Sequence, residues 1–429
     1  MKTPLLCITV FFASTVFSQS LYFPPTTGNT WDTLPPATLD WCPDKIDSML
    51  DWVGAQETKA FLVVKDGKIV IEKYYGSFTQ DSLWYWASAG KTLTSFTVGI
   101  AQQEGLLSLN DTSSKYLGQG WTSCSLADEN EITVWNQLTM TSGLDDGGDP
   151  YCTDDTCLTC IAETGVRWAY HNAPYTLLDG VIEGATGQSL NLYFGQKVRN
   201  PIGMNGGFVM VDFNNVYFSN ARSMARFGLL MLNKGNWNGT QIMTDTAYYN
   251  AMIHTSQNLN KSYGYLWWLN GKQSYMVPGL QAVIPGYLLP NAPADVYSAL
   301  GKNGQLLSIS PSSNLFFVRM GDNTTSAVSI TLPDDIWKLI GELECSATSV
   351  NKNSVSALRL YPNPATNQLM ISGLEKEKPF TVEIYNAQGI LCAKISDQNI
   401  LDISSLPVGM YHLKVNQAGR TLREVFVKD

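Results

Sequence analysis

The alternation of apolar and polar residues along this chain predicts strands near both ends of a main body. Two apolar runs, 61–64 and 69–75, flank Asp66-Gly67, a dipeptide that favours the tight turn of a β-hairpin. Three more short apolar runs, with turns between them, come much later, at 296–300, 306–309 and 315–318. We therefore predict one antiparallel sheet whose strands come from both ends of the domain.

Between these strands the apolar residues recur with helical spacing. The clearest case is 219–233, in which one helix face carries Met224, Phe227, Leu230 and Met231. The same spacing predicts helices at 45–54, 88–104, 132–140, 174–184, 188–198 and 334–343. The aromatic run 263–268 fits either a buried core segment or the wall of a pocket, and core packing is the favoured interpretation.

The two ends of the chain differ from the main body. Lys2 precedes a short apolar run, 5–16, and the small residue Ser18 follows it, which is the pattern of a secretory signal peptide. A buried N-terminal helix is the alternative. Near the other end, a stretch rich in Ser and Asn is typical of a linker, and short alternating strands follow it. We therefore predict a signal peptide at 1–18, a main domain at 19–345, a linker at 346–356 and a small β-sandwich at 357–429.

Composition narrows the classes of function. Of the 429 residues, 44% are hydrophobic and only 15% are charged, which suits a globular protein with a large core. A net charge of −9 does not supply the basic face that a nucleic-acid partner requires. No apolar run after the signal reaches the length of a membrane span, so we expect no transmembrane segment in the mature chain.

The cysteines favour disulfides over a metal site. Cys7 belongs to the predicted signal and Cys392 to the tail, which leaves an even set of six, the mark of a disulfide framework in an exported protein. Six cysteines allow 15 pairings, among which the sequence does not choose. A redox or zinc motif at 157–160 is the alternative, but no suitably spaced histidine accompanies it. The six are Cys42, Cys124, Cys152, Cys157, Cys160 and Cys345.

The acidic segment 145–155 is the other candidate set of metal ligands. Its spacing does not match a standard calcium loop, so a solvated loop is the favoured interpretation. The sequence therefore predicts neither a metal ion nor a cofactor.

One stretch carries candidate catalytic chemistry. Ser88 stands three residues before Lys91 at the start of the predicted helix 88–104, and residues at this spacing share a helix face. The aromatic residues before Ser88 indicate a buried helix start, and burial lowers a lysine pKa so that the amine can accept the serine proton. An N-cap followed by a solvated lysine is the alternative. A Ser-His-Asp hydrolase is disfavoured because Trp86 stands where its nucleophile turn has glycine.

Two further segments could complete such a site. Tyr170 precedes a helix together with Asn172, and its phenol, especially as a phenolate beside a cationic lysine, could take the serine proton and return it to a leaving group. The segment 301–305 lies between two strands, where a strand edge can offer a backbone N–H to an oxyanion. Read alone, Tyr170 also fits a buried core aromatic, and 301–305 also fits a plain turn.

Together these segments resemble the serine hydrolases of the penicillin-recognising class, the group of class C β-lactamases, DD-peptidases and esterases. The resemblance rests on Ser88-x-x-Lys91 and Tyr170-x-Asn172 and covers about residues 45–345. It implies an α/β (α+β) fold, in which a β-lactamase-like antiparallel sheet is flanked by helices and joined by an all-helical subdomain. It also implies an acyl-enzyme on the serine and a small-molecule ester or amide substrate. Further matches are 138–144, 201–204 and 302–311.

The third motif of that family is altered here. The segment 302–304 keeps the cation Lys302, but Asn303 stands where β-lactam-binding members have a hydroxyl that helps to hold a substrate carboxylate. The resemblance therefore favours neutral esters or amides, with Asn172 and Lys302 contacting the substrate and the N–H of Gln305 resembling the second oxyanion donor. Penicillin binding or β-lactamase activity stays open, as does a binding protein that is acylated without turnover.

The tail has a resemblance of its own. Its segments 360–365, 406–411 and 426–428 resemble the C-terminal sorting domain of type IX secretion cargo in Bacteroidetes. This implies a partnership with the type IX secretion machinery and a secreted or cell-surface location, with the tail removed or used for attachment. A carbohydrate- or protein-binding β-module is the alternative.

Overall fold

The computed structural model describes residues 21–149, 151–323, 330–345, 358–375, 378–418 and 420–429. The predicted signal peptide, 1–18, and the predicted linker, 346–356, lie outside these residues. The chain forms two compact units, Met1–Cys345 and Ser346–Asp429.

The strands of the first unit come from both ends of its sequence. They are β1 (Thr58–Lys65), β2 (Lys68–Tyr74), β3 (Trp84–Tyr85), β4 (Gly207–Val211), β5 (Asn214–Ser219), β6 (Asn236–Trp237), β7 (Thr240–Gln241), β8 (Trp268–Leu269), β9 (Ser274–Tyr275), β10 (Ile284–Pro285), β11 (Tyr297–Gly301), β12 (Gln305–Ser310) and β13 (Leu315–Gly321). Six of them form one antiparallel sheet in the order β2-β1-β13-β12-β11-β8. The predicted sheet is therefore confirmed.

The helices of the first unit cover this sheet and build a subdomain beside it. They are α1 (Pro43–Ala55), α2 (Lys91–Gln103), α3 (Ser114–Leu117), α4 (Leu126–Glu129), α5 (Val134–Thr139), α6 (Asn172–Thr176), α7 (Leu178–Thr186), α8 (Leu190–Phe194), α9 (Ala221–Leu232), α10 (Thr246–Met252) and α11 (Thr331–Gly341). The helices α1 and α9 contact the sheet, whereas α3, α5 and α6 contact α7 in the helical subdomain. Among the described residues, no helix combines the length and the hydropathy needed to cross a membrane.

Close packing between α9 and the sheet depends on a glycine. A Cβ at Gly228 would lie 2.7 Å from the Leu307 side chain and 2.9 Å from the Phe316 ring, so a larger residue would displace these buried side chains. The apolar face predicted for this helix, which includes Phe227 and Leu230, is fully buried. The predicted helix and its orientation toward the core are therefore both confirmed.

The β1–β2 hairpin forms where the apolar pattern placed it. Its turn residues Asp66 and Gly67 have φ of 52° and 82°, left-handed values that match the twist of the flanking strands. Gly67 is also required by space, because a Cβ there would lie 2.0 Å from the carbonyl oxygen of Tyr22.

Three predicted helices are divided, and the strand pairs β4–β5, β6–β7 and β9–β10 were not predicted. The predicted helix 88–104 begins as a 3₁₀ turn, Ala87–Gly90, and only then continues as α2. The predicted helix 174–184 is split between α6 and α7. The predicted helix 188–198 runs as α8 and then as a π-helical segment, Gly195–Arg199. The β4–β5 hairpin pairs with β3 to form a separate three-stranded sheet that the sequence analysis missed.

Six cysteines form three disulfides, as predicted, and the pairing is now defined. Cys42–Cys345 fastens the beginning of α1 to the end of the first unit. The disulfides Cys124–Cys160 and Cys152–Cys157 both constrain the chain around the acidic segment 145–155. Because Cys157 and Cys160 have different partners, they do not form a redox or zinc motif. Cys392 is exposed and unpaired.

The second unit consists of strands. They are β14 (Arg359–Tyr361), β15 (Gln368–Ser372), β16 (Phe380–Asn386), β17 (Leu391–Ser396), β18 (Ile400–Asp402), β19 (Gly409–Gln417) and β20 (Arg420–Lys428). They form a three-stranded sheet, β14-β15-β18, and a four-stranded sheet, β17-β16-β19-β20. Side chains from both sheets fill one apolar core, which gives the small β-sandwich that the alternating pattern predicted.

Candidate active site

A cavity of about 630 Å³ lies where the turn that carries Ser88, the helical subdomain and the β4–β5 hairpin meet. Its volume is within the range of small-molecule sites. Four of the six predicted site residues line it, namely Ser88, Lys91, Asn172 and Lys302. The other two, Tyr170 and Gln305, lie outside the lining and are described below.

Ser88 is held on the 3₁₀ turn that leads from β3 into α2. The turn is anchored by Trp86, whose backbone N–H donates to the Tyr217 carbonyl oxygen at 2.8 Å and whose indole N–H donates to Ser219 Oγ at 2.8 Å. Ala87 has a φ of 46°, a left-handed conformation that is costly for a residue with a side chain. Such strain is maintained only where the surrounding structure enforces it, and it is common at functional sites.

Lys91 is buried, with 3% of its surface exposed, and it contacts two of the predicted site residues. Its Nζ donates to Ser88 Oγ at 3.0 Å and to Asn172 Oδ1 at 2.8 Å. It also lies over the rings of Tyr175 and Tyr170, at 4.1 Å and 5.2 Å from their centroids. Burial lowers the pKa of Lys91 to about 7. No ion pair in the described part of the chain includes Lys91, so no acidic partner opposes this effect.

Tyr170 lies behind the cavity surface, where aromatic rings enclose it. Its ring stacks on Trp268 with centroids 5.6 Å apart, and the rings of Tyr263 and Trp168 lie 6.3 Å and 6.5 Å away. Burial raises the pKa of the Tyr170 hydroxyl well above its usual value, and a hydrogen bond with Ser88 opposes this only in part. The aromatic run 263–268 therefore belongs to the core and supports the Tyr170 ring, so the favoured interpretation, core packing, is confirmed.

The two pKa shifts decide which group carries the proton. The pKa of Lys91 is lowered to about 7, whereas that of Tyr170 is raised. A phenolate beside a cationic lysine, the form that the sequence analysis considered, is therefore disfavoured. The burial of both groups favours a neutral amine beside a neutral phenol, because burial penalises whichever form is charged.

The strand β11 approaches the Ser88 turn at Gly301 and not at Gly304. A Cβ at Gly301 would lie 2.5 Å from the Trp86 carbonyl oxygen and 3.0 Å from the Ala89 nitrogen. At Gly304 the nearest atom would be a guanidinium nitrogen of Arg319. Only a glycine permits this approach of β11, so the backbone that meets the Ser88 turn is that of Gly301, directly before the predicted segment 302–304.

The loop after Gly301 presents Lys302 to the cavity and keeps Asn303 occupied. Lys302 is exposed and lines the cavity. The Asn303 amide donates to the Tyr85 hydroxyl at 2.8 Å and to Asp322 Oδ1 at 3.4 Å. Both amide hydrogens therefore have acceptors within the protein, which leaves little capacity to replace the missing hydroxyl as a carboxylate ligand.

Gln305 lies on β12, one strand further from Ser88 than β11. Its side chain is fully buried, and its amide exchanges hydrogen bonds with the backbone of Gly321 at 2.6 Å and 3.1 Å. The prediction that its N–H completes an oxyanion hole gains no support from this position. The side chain instead ties the 302–304 loop to β13, a task shared with the buried Arg319, which donates to the Gly304 carbonyl oxygen at 2.6 Å.

Several lining residues were missed by sequence reasoning. Asp149 and Tyr151 reach the cavity from the acidic segment, which the Cys152–Cys157 disulfide constrains. The β4–β5 hairpin contributes most of the remaining wall. The apolar run 207–211 followed by Asp212 is a hairpin signal that could have revealed it.

Two basic side chains near the motifs, those of Arg167 and His171, do not line the cavity. Arg167 pairs with Asp146 at 2.5 Å. His171 is 3% exposed, and burial lowers its pKa to about 4 although Asp146 and Asp145 act in the opposite direction. Within the described residues, no group of three or more His, Cys, Asp or Glu side chains is arranged to hold a metal ion.

The chain matches known families over most of its length. Residues 53–329 match the family described as Beta-lactamase, and residues 359–429 match the Secretion system C-terminal sorting domain. An uncharacterized protein of Alkalihalophilus pseudofirmus is 26% identical over 332 residues, which are 68% of this chain and 91% of that protein.

Solved structures with the same fold include two named relatives. A family VIII carboxylesterase superposes with a TM-score of 0.55 at 17% identity, over 73% of this chain and 98% of that one. A penicillin-binding protein homologue from Caulobacter crescentus superposes with a TM-score of 0.52 at 13% identity, over 70% and 97%. At these identities the likeness shows the fold alone.

The lowered pKa of Lys91 predicts that this residue destabilises the fold. We expect Lys91→Met to raise the free energy of unfolding by about 1–4 kcal/mol, since an apolar side chain replaces a buried amine without an acidic partner. The increase in the free energy of unfolding should be largest below pH 7, where the native wild-type protein must bury a charged amine. It should shrink as the pH rises toward 10.5, the pKa of a lysine in the unfolded state.

Denaturant unfolding followed by tryptophan fluorescence measures this effect, because all 12 tryptophans belong to the first unit. Lys302→Met, at an exposed lysine of the same cavity, is the control and should change stability by less than about 0.5 kcal/mol. Equal or lower stability of Lys91→Met at pH 6 would contradict the prediction.

Proposed function

Because the chain belongs to the Beta-lactamase family, we propose that it is a secreted serine hydrolase that cleaves ester or amide bonds through an acyl-enzyme on Ser88. The observation that carries the proposal is the series of hydrogen bonds from Ser88 through Lys91 to Asn172. A lysine held in this way, with its pKa lowered to about 7, has a large neutral fraction at neutral pH and can act as a base.

In the proposed reaction, neutral Lys91 takes the proton of Ser88 as Oγ forms a bond to the substrate carbonyl carbon. The carbonyl electron pair moves to oxygen and gives a tetrahedral oxyanion. When this intermediate collapses, the leaving group departs with a proton from the Tyr170 hydroxyl, and the Lys91 ammonium returns a proton to Tyr170. In the second half of the reaction, neutral Lys91 takes a proton from water as the water oxygen bonds to the acyl carbon. The bond between this carbon and Ser88 Oγ then breaks, Oγ leaves with a proton from Tyr170, the Lys91 ammonium reprotonates Tyr170, and the acid is released. Asn172 keeps Lys91 aligned through its side-chain oxygen.

The oxyanion needs two N–H donors, and we assign them to Ser88 and Lys302. Gly301 brings β11 against the Ser88 turn, so the peptide N–H that follows it, that of Lys302, is better placed than the N–H of Gln305. The close contact of Gly301 with the Ala89 nitrogen supports this assignment. It replaces the donor that the family resemblance suggested.

The charges around the cavity favour uncharged substrates over β-lactams. Two acidic residues, Asp149 and Asp212, line the cavity, whereas Lys302 is the one exposed lysine among the lining residues. None of these three takes part in an ion pair among the described residues, so the two carboxylates would repel a substrate carboxylate. The engaged amide of Asn303 supports the same preference.

The tail indicates where the protein acts. Residues 359–429 match a secretion-system sorting domain, which indicates export by the type IX system to the cell surface or the extracellular space. We propose that a signal peptide at 1–18 directs the first export step and that the tail directs the second. No catalytic role is assigned to the tail.

Turnover of p-nitrophenyl butyrate by the purified mature protein tests the function. We expect hydrolysis that Ser88→Ala reduces by at least about 10³-fold, the scale of losing a nucleophile. Ser95→Ala, at a buried serine of α2, the helix that follows the Ser88 turn, should retain it. The kcat/KM for nitrocefin should be at least about tenfold lower, since a lost hydrogen bond to a charged group costs about 1.5–3 kcal/mol.

A preference for nitrocefin would replace the esterase proposal by β-lactamase activity. A single burst of nitrophenol equal to the enzyme concentration, with no turnover after it, would instead identify an acylatable binding protein. Absence of both turnover and burst with every substrate would contradict the serine hydrolase proposal itself.

A proline at position 302 tests the oxyanion donor. Lys302→Pro removes the N–H at a position with helical backbone angles, which proline accepts, and Gly301 before it is extended, with ψ of 157°. We expect kcat to fall by about 10²–10³-fold with little change in KM. Lys302→Ala keeps the N–H and should retain kcat for neutral esters. Equal losses in the two variants would show that the side chain, and not the peptide, is required.

A further inference from the structure

The β4–β5 hairpin leaves an unusual number of apolar side chains in contact with solvent. Exposed fractions of 40% to 63% occur at Phe213, Val211, Val209 and Met210. Contiguous exposed apolar surface on a soluble protein commonly marks a binding site. The core beneath the hairpin does not use these residues, because Phe208 and Tyr217 fill it with ring centroids 4.9 Å apart.

The strand register sorts these side chains onto two faces. Phe218 on β5 pairs with Tyr85 on β3, and Val216 on β5 pairs with Val209 on β4. Since side chains alternate along a strand, Tyr85, Phe218 and Val216 point to one face, and so does Val211. Met210, next to Val211 in the sequence, points to the opposite face.

The first of these faces continues into the catalytic cavity. Its residues Tyr85, Phe218, Val216 and Val211, together with Phe213 at the hairpin tip, all line the cavity that contains Ser88, and they are named here the hairpin wall. The wall begins beside the Ser88 turn, which directly follows β3. At 3.3 Å per residue, its length from Phe218 to Phe213 is about 17 Å.

The hairpin wall is fixed to the helical subdomain by two polar contacts next to the hairpin tip. The Asn215 side chain donates to Asp179 Oδ2 at 2.9 Å, and the Thr176 hydroxyl donates to Asn214 Oδ1 at 3.4 Å. Asp179 and Thr176 belong to the same part of the chain as Asn172, so the wall and the lysine contact share one support. An apolar surface held in place before binding loses little ordering entropy when a ligand packs on it.

We propose that the hairpin wall binds an extended, uncharged apolar group of the substrate, such as an alkyl chain longer than butyl, while the scissile carbonyl lies at Ser88. The inference rests on the proposed function, since it names the substrate class of that site. The two aspartates at the cavity, Asp149 and Asp212, restrict the class further, because they disfavour a chain that ends in a carboxylate.

Labelling of Ser88 by alkyl fluorophosphonates tests the wall without requiring turnover. In this reaction Ser88 Oγ forms a bond to phosphorus, fluoride leaves with the P–F electron pair, and Lys91 takes the serine proton. The probes are the ethyl esters of methyl-, butyl- and octylfluorophosphonate, and the readout is the second-order rate constant of adduct formation at Ser88. We expect a rise of about twofold to fourfold per CH₂ group, the larger value being full burial.

Variants on the two faces of one strand separate the wall from general surface adsorption. Val211→Ser and Phe213→Ser should each lower the rate constant for the octyl probe by about threefold to tenfold and leave the methyl probe within about twofold. Met210→Ser, which removes a more exposed apolar residue from the opposite face, should leave both probes unchanged. Equal losses for Met210→Ser and Val211→Ser would overturn the assignment to the wall.

The failure of this inference can be told apart from the failure of the proposed function. Labelling of Ser88 at rates independent of chain length would refute the wall and leave the serine hydrolase intact. If Ser88 is not labelled at all, calorimetry of 1-octanol and 1-butanol binding to the full chain tests the wall alone. At least about tenfold tighter binding of octanol is then expected, and equal affinities would overturn the inference.

Discussion

The candidate site depends on one constraint, a lysine amine buried without an acidic partner. Removing Lys91 from water is costly unless the amine is neutral, so the same burial that opposes folding gives the amine the large neutral fraction at neutral pH that the proposed base requires. The sheet and the helical subdomain both take part, because the Ser88 turn lies against β11 while Asn172, Tyr170 and Tyr175 come from the subdomain. The large apolar core of the first unit offsets the cost that this lysine adds.

The parts of the site that are set by local spacing could be predicted from the sequence. Ser88 and Lys91 are three residues apart near a helix start, and the structure joins them by a 3.0 Å hydrogen bond. The β-hairpin at Asp66-Gly67 and the late group of three strands were predictable for the same reason, since turn chemistry and alternation act over a few residues. The contact between Lys91 and Asn172, far apart in sequence, was expected only through the family resemblance.

Features that depend on packing between distant segments could not be predicted from the sequence. Gly301 and Gly304 stand three residues apart around the end of β11, and only the position of β11 against Trp86 shows which of them meets the Ser88 turn. The phenolate form of Tyr170 was favoured by a nearby cation, but the surrounding rings of Trp268 and Tyr263 outweigh it. The aromatic run 263–268 is core, as its favoured interpretation predicted, but nothing in the local sequence of 207–218 indicated that this hairpin supplies the apolar surface of the cavity.

The proposed mechanism requires that Lys91 is largely neutral near pH 7, and its protonation state can be measured directly. The protein is produced with ¹³C at the lysine Cε, and the Lys91 signal is assigned by its absence in the Lys91→Met variant. Its chemical shift is then followed from pH 5 to pH 11. The account predicts a titration midpoint near pH 7, well below the 10.5 of an ordinary lysine. A midpoint at or above about 10 would show that the buried amine stays charged at neutral pH, and Lys91 would then not be the base that activates Ser88.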